Sequence, residues 1–415
     1  MAGYARRIIR SIMAASAGLA ALAGACGGSL AAVPRDVFVM AMQIDDVISL
    51  DPAELFEFTG AEVAANIYDR LLYFDLDDPT RIVGGVAQSW SVSPDGRTYT
   101  FRIRPGMRFP SGNPVTARDA AYSLRRVVRL NLSPGFIVRQ FGLDEANAQT
   151  SITAGDDRTL SITTDRAYAP SFFLACLTAA VGSVVDGAVV ASHEVDGDMG
   201  HRWLKTHSAG SGPFMLAAWK PNEIIVLDRF DGYWRGAPAM RKVMIRHIAE
   251  PGIQRLLVER GDIDVARNLG PDQAAGVGNN PELRVRRTRK GALYYLGLNQ
   301  KNEYLRRPEV REAVRYLVDY RGIAGTLMRG AAEIHQAFVP LGYLGALADR
   351  PFRLDTLRAR HLLEQAGLGQ GFAVTLDVRG TRPDLDVAQS LQSTFAAAGI
   401  RLDIAPADGR QVLTK

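Results

Sequence analysis

Residues 83–104 run VGGVAQSWSVSPDGRTYTFRIR, and their reading decides the fold. Trp90-Ser91-Val92 and Tyr99-Thr100-Phe101-Arg102-Ile103 flank Ser93-Pro94-Asp95-Gly96. Asp-Gly between two alternating runs is a strong short-range hairpin signal. Strand alternation puts Tyr99, Phe101 and Ile103 on one face, with Arg102 and Arg104 on the other. Downstream, Val115-Thr116-Ala117-Arg118-Asp119 predicts a helix start. Thr116 suits the cap, and Asp119 at the third helical position suits the positive end of the dipole. That helix would turn Ala120, Leu124, Val127 and Val128 inward, so a sheet face and a helix stripe are available to cover each other.

Working outward, Val37–Met42 is an apolar strand candidate and leads into a turn at Asp51-Pro52. Spacing predicts a helix over Gly60–Leu72. Ser208–Phe214 is a glycine-rich turn, followed by strand candidates at Ile224–Leu227 and Val243–Ile245. Asp262 and Asp264, alternating around Ile263, fit a strand edge, and Arg284–Lys290 alternates as a strand with one solvated basic face. Two helix–strand pairs close the chain: Asp355–Ala366 with Phe372–Val378, then Leu385–Ala398 with Ile400–Ile404. Gly367 and Gly399 explain where each helix stops. The whole is mixed α and β, without an internal repeat or a low-complexity linker.

The N-terminus predicts export. Arg6, Arg7 and Arg10 precede Ser11–Ala25, a small, apolar, uncharged run, and residues 1–32 fit a signal peptide. Leu22-Ala23-Gly24-Ala25-Cys26 is similar to a lipidation site at Cys26, although ordinary cleavage after Ala-x-Ala competes with it. Removing the three arginines takes the formal charge from +5 to +2. So small a charge gives no case for nucleic acid, and the dense basic run at Arg284–Lys290 is better explained as a strand face. The only other cysteine, Cys176, lies in the apolar run Phe172–Leu177 and reads as an inert buried thiol.

Enzymatic patterns are missing. Ala209-Gly210-Ser211-Gly212 is not a nucleophile elbow, and neither a P-loop nor a dinucleotide-binding glycine motif occurs. His193, His201 and His207 form the one histidine cluster, with solvated loop residues as the simpler explanation. Asp45-Asp46, Asp77-Asp78 and Asp156-Asp157 are adjacent acids of a kind common in turns, and adjacency alone makes no catalytic dyad. Tyr294-Tyr295, opening the run to Asn299, suits either a pocket for mixed polar and apolar solutes or a core strand.

Several blocks, in order, resemble the peptide/nickel class of bacterial extracellular solute-binding proteins, family 5. They are Ser49-Leu50-Asp51-Pro52-Ala53, Ile67–Leu72, Val83–Arg104, Phe109–Asp119, Ala209–Phe214, Asp231–Gly236, Arg260–Asp264, Pro308–Ala313 and Leu362–Gly367. The resemblance implies an α/β periplasmic binding protein of two lobes, with an extra subdomain in the first. Lobe I is expected over 33–290 with the insertion near 60–190, and an incomplete, C-terminally truncated lobe II over 291–415. The acid that meets a peptide's amino end in such proteins is expected beyond residue 415.

By the same resemblance, the chain would capture a peptide or related small solute in the interlobe cleft. It would then deliver that solute as a monomer to an inner-membrane ABC permease with ATPase subunits, needing no cofactor, metal or catalytic residue. Ser49, Glu57, Phe58, Tyr294, Tyr295, Asn299 and Arg382 are the expected ligand-binding residues. Arg382, in Thr381-Arg382-Pro383, would hold a carboxylate through its planar fork; Asp384 beside it would oppose an anion, and Arg379 is its substitute. Other readings are capture of a nickel chelate, opine or small glycan, an inactive truncated product, and an exported hydrolase.

Overall fold

The computed structural model describes residues 34–78, 80–343 and 345–414. Residues 1–32, with the signal segment and Cys26, lie outside them.

The hairpin forms where its turn signal lies. Strands Ala87–Val92 and Thr98–Ile103 pair antiparallel, and Gly96 takes φ +71° in the turn, a conformation glycine tolerates without strain. Thr159–Thr163 and Ile152–Ala154 extend it to a four-stranded antiparallel sheet. Tyr99, Phe101 and Ile103 are buried, whereas Arg102 is exposed. The helix Ala117–Leu130 covers that face. Thr116 and Asp119 cap it reciprocally: Thr116 Oγ1 accepts the Asp119 N–H at 3.3 Å and Asp119 Oδ2 accepts the Thr116 N–H at 2.9 Å. Tyr99 stacks on Phe173 with ring centroids 4.0 Å apart, near the centre of this core.

A second core lies on a five-stranded mixed sheet. Its strand order is Val265–Ala266, Val37–Met42, Lys242–His247, Ile224–Arg229 and Phe214–Lys220. Val37–Met42 runs parallel to both neighbours, and the remaining pairs are antiparallel. The helix beside it covers Phe58–Ile67 and ends short of the expected Leu72. Beyond Ile67 the backbone has other partners: Val184 N–H donates to Asp69 O at 2.9 Å and Leu71 N–H to Gly182 O at 2.9 Å.

Residues beyond 290 build a third core. Helices Pro308–Tyr316, Thr356–Gln365 and Asp384–Ala396 pack with the parallel strands Phe372–Arg379 and Ile400–Ala407. Asp355 caps its helix by accepting the Arg358 N–H at 2.9 Å, and Gly367 and Gly399 sit at φ +72° and +86° just past two helix ends.

The basic stretch Arg284–Lys290 forms no strand, contrary to expectation, and neither does Tyr294–Asn299. Leu296 and Leu298 pack on the third core while Tyr295, Gly297 and Asn299 face outward, so the alternation holds without a ladder. A period-two pattern fixes which side is buried; only a neighbouring strand turns it into sheet.

Candidate functional site

The third core meets the five-stranded sheet at the loop following Val37–Met42. Gly409 N–H donates to Asp45 Oδ2 at 2.7 Å, Arg410 N–H to Asp45 O at 3.0 Å, and Arg410 Nη2 to Val47 O at 3.1 Å. Arg379, at the end of its strand, reaches Asp46 Oδ2 at 3.5 Å, and Thr59 Oγ1 donates to the same oxygen at 3.0 Å. A cavity of about 380 Å³ opens here, lined by Asp45, Asn222, His247, Thr381, Pro406 and Asp408 among others.

Several expected ligand-binding residues converge on this junction. Glu57 is half-buried, and its carboxylate accepts the backbone N–H groups of Ile48 at 3.2 Å and Phe56 at 2.9 Å. Burial, reinforced by Asp46, nevertheless pushes its carboxyl above the usual range. Its neighbour Phe58 is 76% exposed. From the other side Tyr294 Oη donates to Asp384 at 2.9 Å. Burial raises the Asp384 carboxyl, with Asp45 adding to the shift and the Tyr294 bond and Arg379 opposing it. Burial also pushes the Tyr294 phenol up, and Asp384 adds to that.

Other expected residues sit differently. Ser49 is fully buried, and its Oγ accepts the Asp51 N–H at 3.1 Å, so it shapes the Asp-Pro turn from inside. Asn299 is a turn residue whose Oδ1 accepts the Lys301 N–H at 3.0 Å. Tyr295 is 79% exposed. Arg382 lies against Asp386 at 3.6 Å, one helical turn away, and Asp384 is engaged by Tyr294 instead.

Asp51 and Asp69 are buried carboxylates that escaped the sequence reading. Asp51, assigned only to a turn, is fully buried: Arg126 clamps it through Nη1 at 2.6 Å and Nη2 at 2.5 Å, and His201 Nδ1 lies 2.8 Å from it. Burial alone would raise its pKa, but the Arg126 and His201 bonds prevail and hold the carboxyl low. Asp69 collects four uncharged donors: Ser211 Oγ at 3.0 Å, Tyr73 Oη at 3.1 Å, Tyr233 Oη at 3.2 Å and Trp234 Nε1 at 3.0 Å. With no cation in that set, burial wins and its carboxyl is pushed up. The hint was an aspartate next to a leucine or tyrosine in each of the blocks Ser49–Ala53 and Ile67–Leu72; apart from Tyr73, the partners lie far along the chain.

The histidine cluster resolves into separate roles. His193 and His207 sandwich Trp203, with ring centroids at 4.1 and 4.9 Å, and His201 joins Asp51. Among the described residues no group of three or more His, Cys, Asp or Glu is placed to hold a metal ion. Cys176 is half-buried rather than buried, and burial pushes its thiol up. Among the described residues no helix is long and apolar enough to cross a membrane.

Known proteins share this architecture. The family model for bacterial extracellular solute-binding proteins, family 5 (middle part), matches residues 81–415. A probable D,D-dipeptide-binding periplasmic protein of Escherichia coli K12 is 30% identical over 318 residues, which cover 76% of this chain and 59% of that protein. The chain thus spans well under two thirds of that relative's length. A glutathione-binding protein of Shigella dysenteriae is 25% identical over 98% of this chain and 75% of its own. Among solved structures, the ABC transporter-associated periplasmic binding protein DppA of Helicobacter pylori, in complex with the peptide STSA, superposes with a TM-score of 0.78. It is 27% identical, and the match covers 90% of this chain and 74% of that one.

Proposed function

Because the chain belongs to the bacterial extracellular solute-binding proteins, family 5, we propose that it is the solute-capturing component of an ABC importer, taking up peptides or peptide-like solutes. The observation that carries this reading is the approach of Glu57, Tyr294 and Asp384 to the Arg379–Asp46 contact, between two separately packed cores. Lobe I comprises 33–290 with its insertion near 60–190, and lobe II begins at 291. Proteins of this two-lobed α/β fold hold solute between lobes, and hinge closure over ligand is an established device.

In this scheme Phe58, Tyr294 and Tyr295 offer apolar contact, and Glu57 a carboxylate. Arg382 serves an anionic group once it leaves Asp386, with Arg379 beside it; Ser49 and Asn299 shape the loops that present these side chains. The protein performs no chemistry on its solute. It works in the periplasm as a monomer and docks on a membrane permease driven by ATPase subunits. Residues 1–32 direct export, and Cys26 is the candidate lipid anchor.

Calorimetric titration with D-alanyl-D-alanine, glutathione and the tetrapeptide Ser-Thr-Ser-Ala tests the reading, with mass spectrometry of the recovered solute. Saturable binding of at least one, recovered intact, is expected; turnover would assign the protein to the hydrolases instead. Tyr295→Ala should weaken that binding by about 1–3 kcal/mol, the usual cost of removing a packed aromatic anchor. Normal binding by folded Tyr294→Ala and Tyr295→Ala variants would show that the solute sits elsewhere.

A further inference from the structure

We propose that His201 is a proton-operated clasp on residues 51–57: charged, it holds Asp51 and Glu54 together, and neutral, it holds Asp51 alone. His201 opens the short helix His201–Leu204. Its Nδ1 lies 2.8 Å from Asp51 Oδ2, on the carboxylate that Arg126 clamps. On the far side of the ring, Nε2 lies 3.5 Å from Glu54 Oε2. That oxygen is buried without a hydrogen-bond partner, whereas Glu54 Oε1 pairs with Lys205 Nζ at 3.2 Å. The backbone is tied along the same path, since Leu50 N–H donates to Lys205 O at 3.1 Å.

Counting protons gives the two states. A neutral imidazole carries one N–H and one lone pair, and a carboxylate only accepts. Asp51 stays ionised: burial alone would raise its carboxyl, but the Arg126 and His201 bonds hold it low. The proton of the neutral ring therefore belongs on Nδ1, and Nε2 turns a lone pair towards the buried Glu54 oxygen. Protonation puts an N–H on Nε2, and the 3.5 Å gap then closes towards the roughly 2.8 Å of a charge-assisted bond. Histidine is the side chain that ordinarily changes charge between about pH 5 and 8. The second bond is thus present at the acid end and lost as pH rises.

The other groups facing this cluster do not imitate that change. Burial pushes the Tyr68 and Tyr122 phenols up. Burial pulls on Asp198 too, but the N–H groups of Val195, Arg202 and Gly200 hold it low. Arg126 and Lys205 bring positive charge, and Glu194, towards Tyr122, negative charge. His193 and His207 stack on the two faces of Trp203 and use Nδ1 on the Val189 and Trp203 carbonyls, so their charge makes no bond to Glu54. The held segment ends at Glu57, whose carboxylate accepts the Ile48 and Phe56 N–H groups beside the junction. His201 is therefore a positioning residue, acting through Asp51 and Glu54 on the loop that presents Glu57. Only the consequence for binding rests on the solute-capture reading.

Nitrogen-15 spectra of histidine-labelled protein, with His201 assigned through His201→Asn, test the protonation. His201 should gain charge on acidification and, when neutral, keep its proton on Nδ1. A single charge state from about pH 5 to 9, or a neutral form protonated on Nε2, would overturn the clasp. Hydrogen exchange reads the hold on the loop at the Ala53, Glu54 and Leu55 amides, which all donate to Asp51. Corrected for intrinsic rates and compared with residues 120–128, their protection in the wild type should fall about tenfold from about pH 5.5 to 8.5, the scale of one charge-assisted bond. In Glu54→Gln the side-chain amide can donate to the neutral Nε2, so the fall should shrink to about twofold or less. His201→Asn, uncharged and with one donor for Asp51, should stay at the low level throughout. Identical pH profiles in wild type and Glu54→Gln would refute the clasp, and that comparison holds even where His201→Asn does not fold. Titration with Ser-Thr-Ser-Ala, glutathione and D-alanyl-D-alanine separates the clasp from the solute reading. A solute that binds should lose more affinity with rising pH in the wild type than in Glu54→Gln, since titration of Glu57 and Asp384 is common to both. If none binds while protection still follows pH, the clasp stands and solute capture falls. If a solute binds with one pH profile in both proteins, the reach of the clasp to Glu57 is refuted.

Discussion

The region before residue 267 and the region after 290 are held together by different physics. In the first, polar groups are buried and locked: Asp51 between Arg126 and His201, Asp69 under four donors, and Asp186 accepting Ser111 Oγ at 2.5 Å and Asn113 Nδ2 at 3.0 Å. In the second, no polar or charged side chain among the described residues is buried. Its core is Val310, Leu317, Leu363, Leu391, Phe395 and their neighbours, and ion pairs such as Arg358–Glu312 at 3.5 Å stay in solvent. Apolar packing is tolerant of small shifts, whereas a buried ion pair is satisfied in one arrangement only. The first region is therefore fixed internally by buried polar contacts, and the core of the second by apolar packing.

Removing Arg126 should break this contrast most sharply. Arg126→Ala leaves Asp51 buried without its clamp, and loss of one partner of a buried pair costs about 3–5 kcal/mol. Arg358→Ala, with its guanidinium in solvent, should cost about 0–1 kcal/mol. Urea denaturation followed by Trp203 and Trp234 fluorescence, both in the first region, measures the former, and far-ultraviolet circular dichroism the latter. Similar losses for the two would mean that burial of charge is not what distinguishes the regions.

The two buried aspartates sharpen the comparison within the first region, because they titrate in opposite directions. Asp51 is held low in the fold, so its stabilisation is present above the ordinary carboxylate value of about 3.9 and is lost as pH falls through the folded value. Asp69 is pushed up, so its contribution is greatest below that ordinary value and is lost as pH rises through the folded one. The cost of Asp51→Asn should therefore shrink on acidification, and the cost of Asp69→Asn should grow. At neutral pH Asp69→Asn should cost about 1–3 kcal/mol, since an amide has one acceptor oxygen for four donors. Parallel pH profiles of the two variants would contradict the assigned environments.

What the sequence made legible follows the same division between local and distant causes. The hairpin over 87–103, the Thr116–Asp119 cap and the glycine stops at Gly367 and Gly399 depend on residues within a few positions of one another, and all were readable. The helix expected to Leu72 stopped at Ile67 because Gly182 and Val184 take up the backbone that follows. Arg284–Lys290 alternates as a strand does, but no pattern within it specifies a partner. The site divides likewise. Phe58 and Tyr294 were placed by family resemblance, while Asp45 and Asp46 looked like a surface turn until the segment around Gly409 closed over them. Arg382 came from the same resemblance, with its planar fork in support, and the carboxylate beside it in the structure is Asp386, four residues on.

The smallest effect is expected where the regions should not differ at all. Thr116 caps a helix in the first region and Asp355 one in the second, each accepting a backbone N–H from the residue three positions on. An N-cap contributes through that bond and through the dipole of its own first turn, and neither depends on how the distant core is held. Thr116→Ala and Asp355→Ala should therefore each cost about 1 kcal/mol. The regions need not unfold together, so a single melting curve would blend them. Native-state hydrogen exchange of Ala120–Val128 and of Ala359–Leu363 reads each helix separately. Equal losses of protection would show that local devices work alike in both regions, and that the contrast lies in buried polar contacts. If Asp355→Ala costs several times more than Thr116→Ala, the apolar region leans on its caps, and the distinction between directional and shape-based packing would need to be redrawn around helix ends.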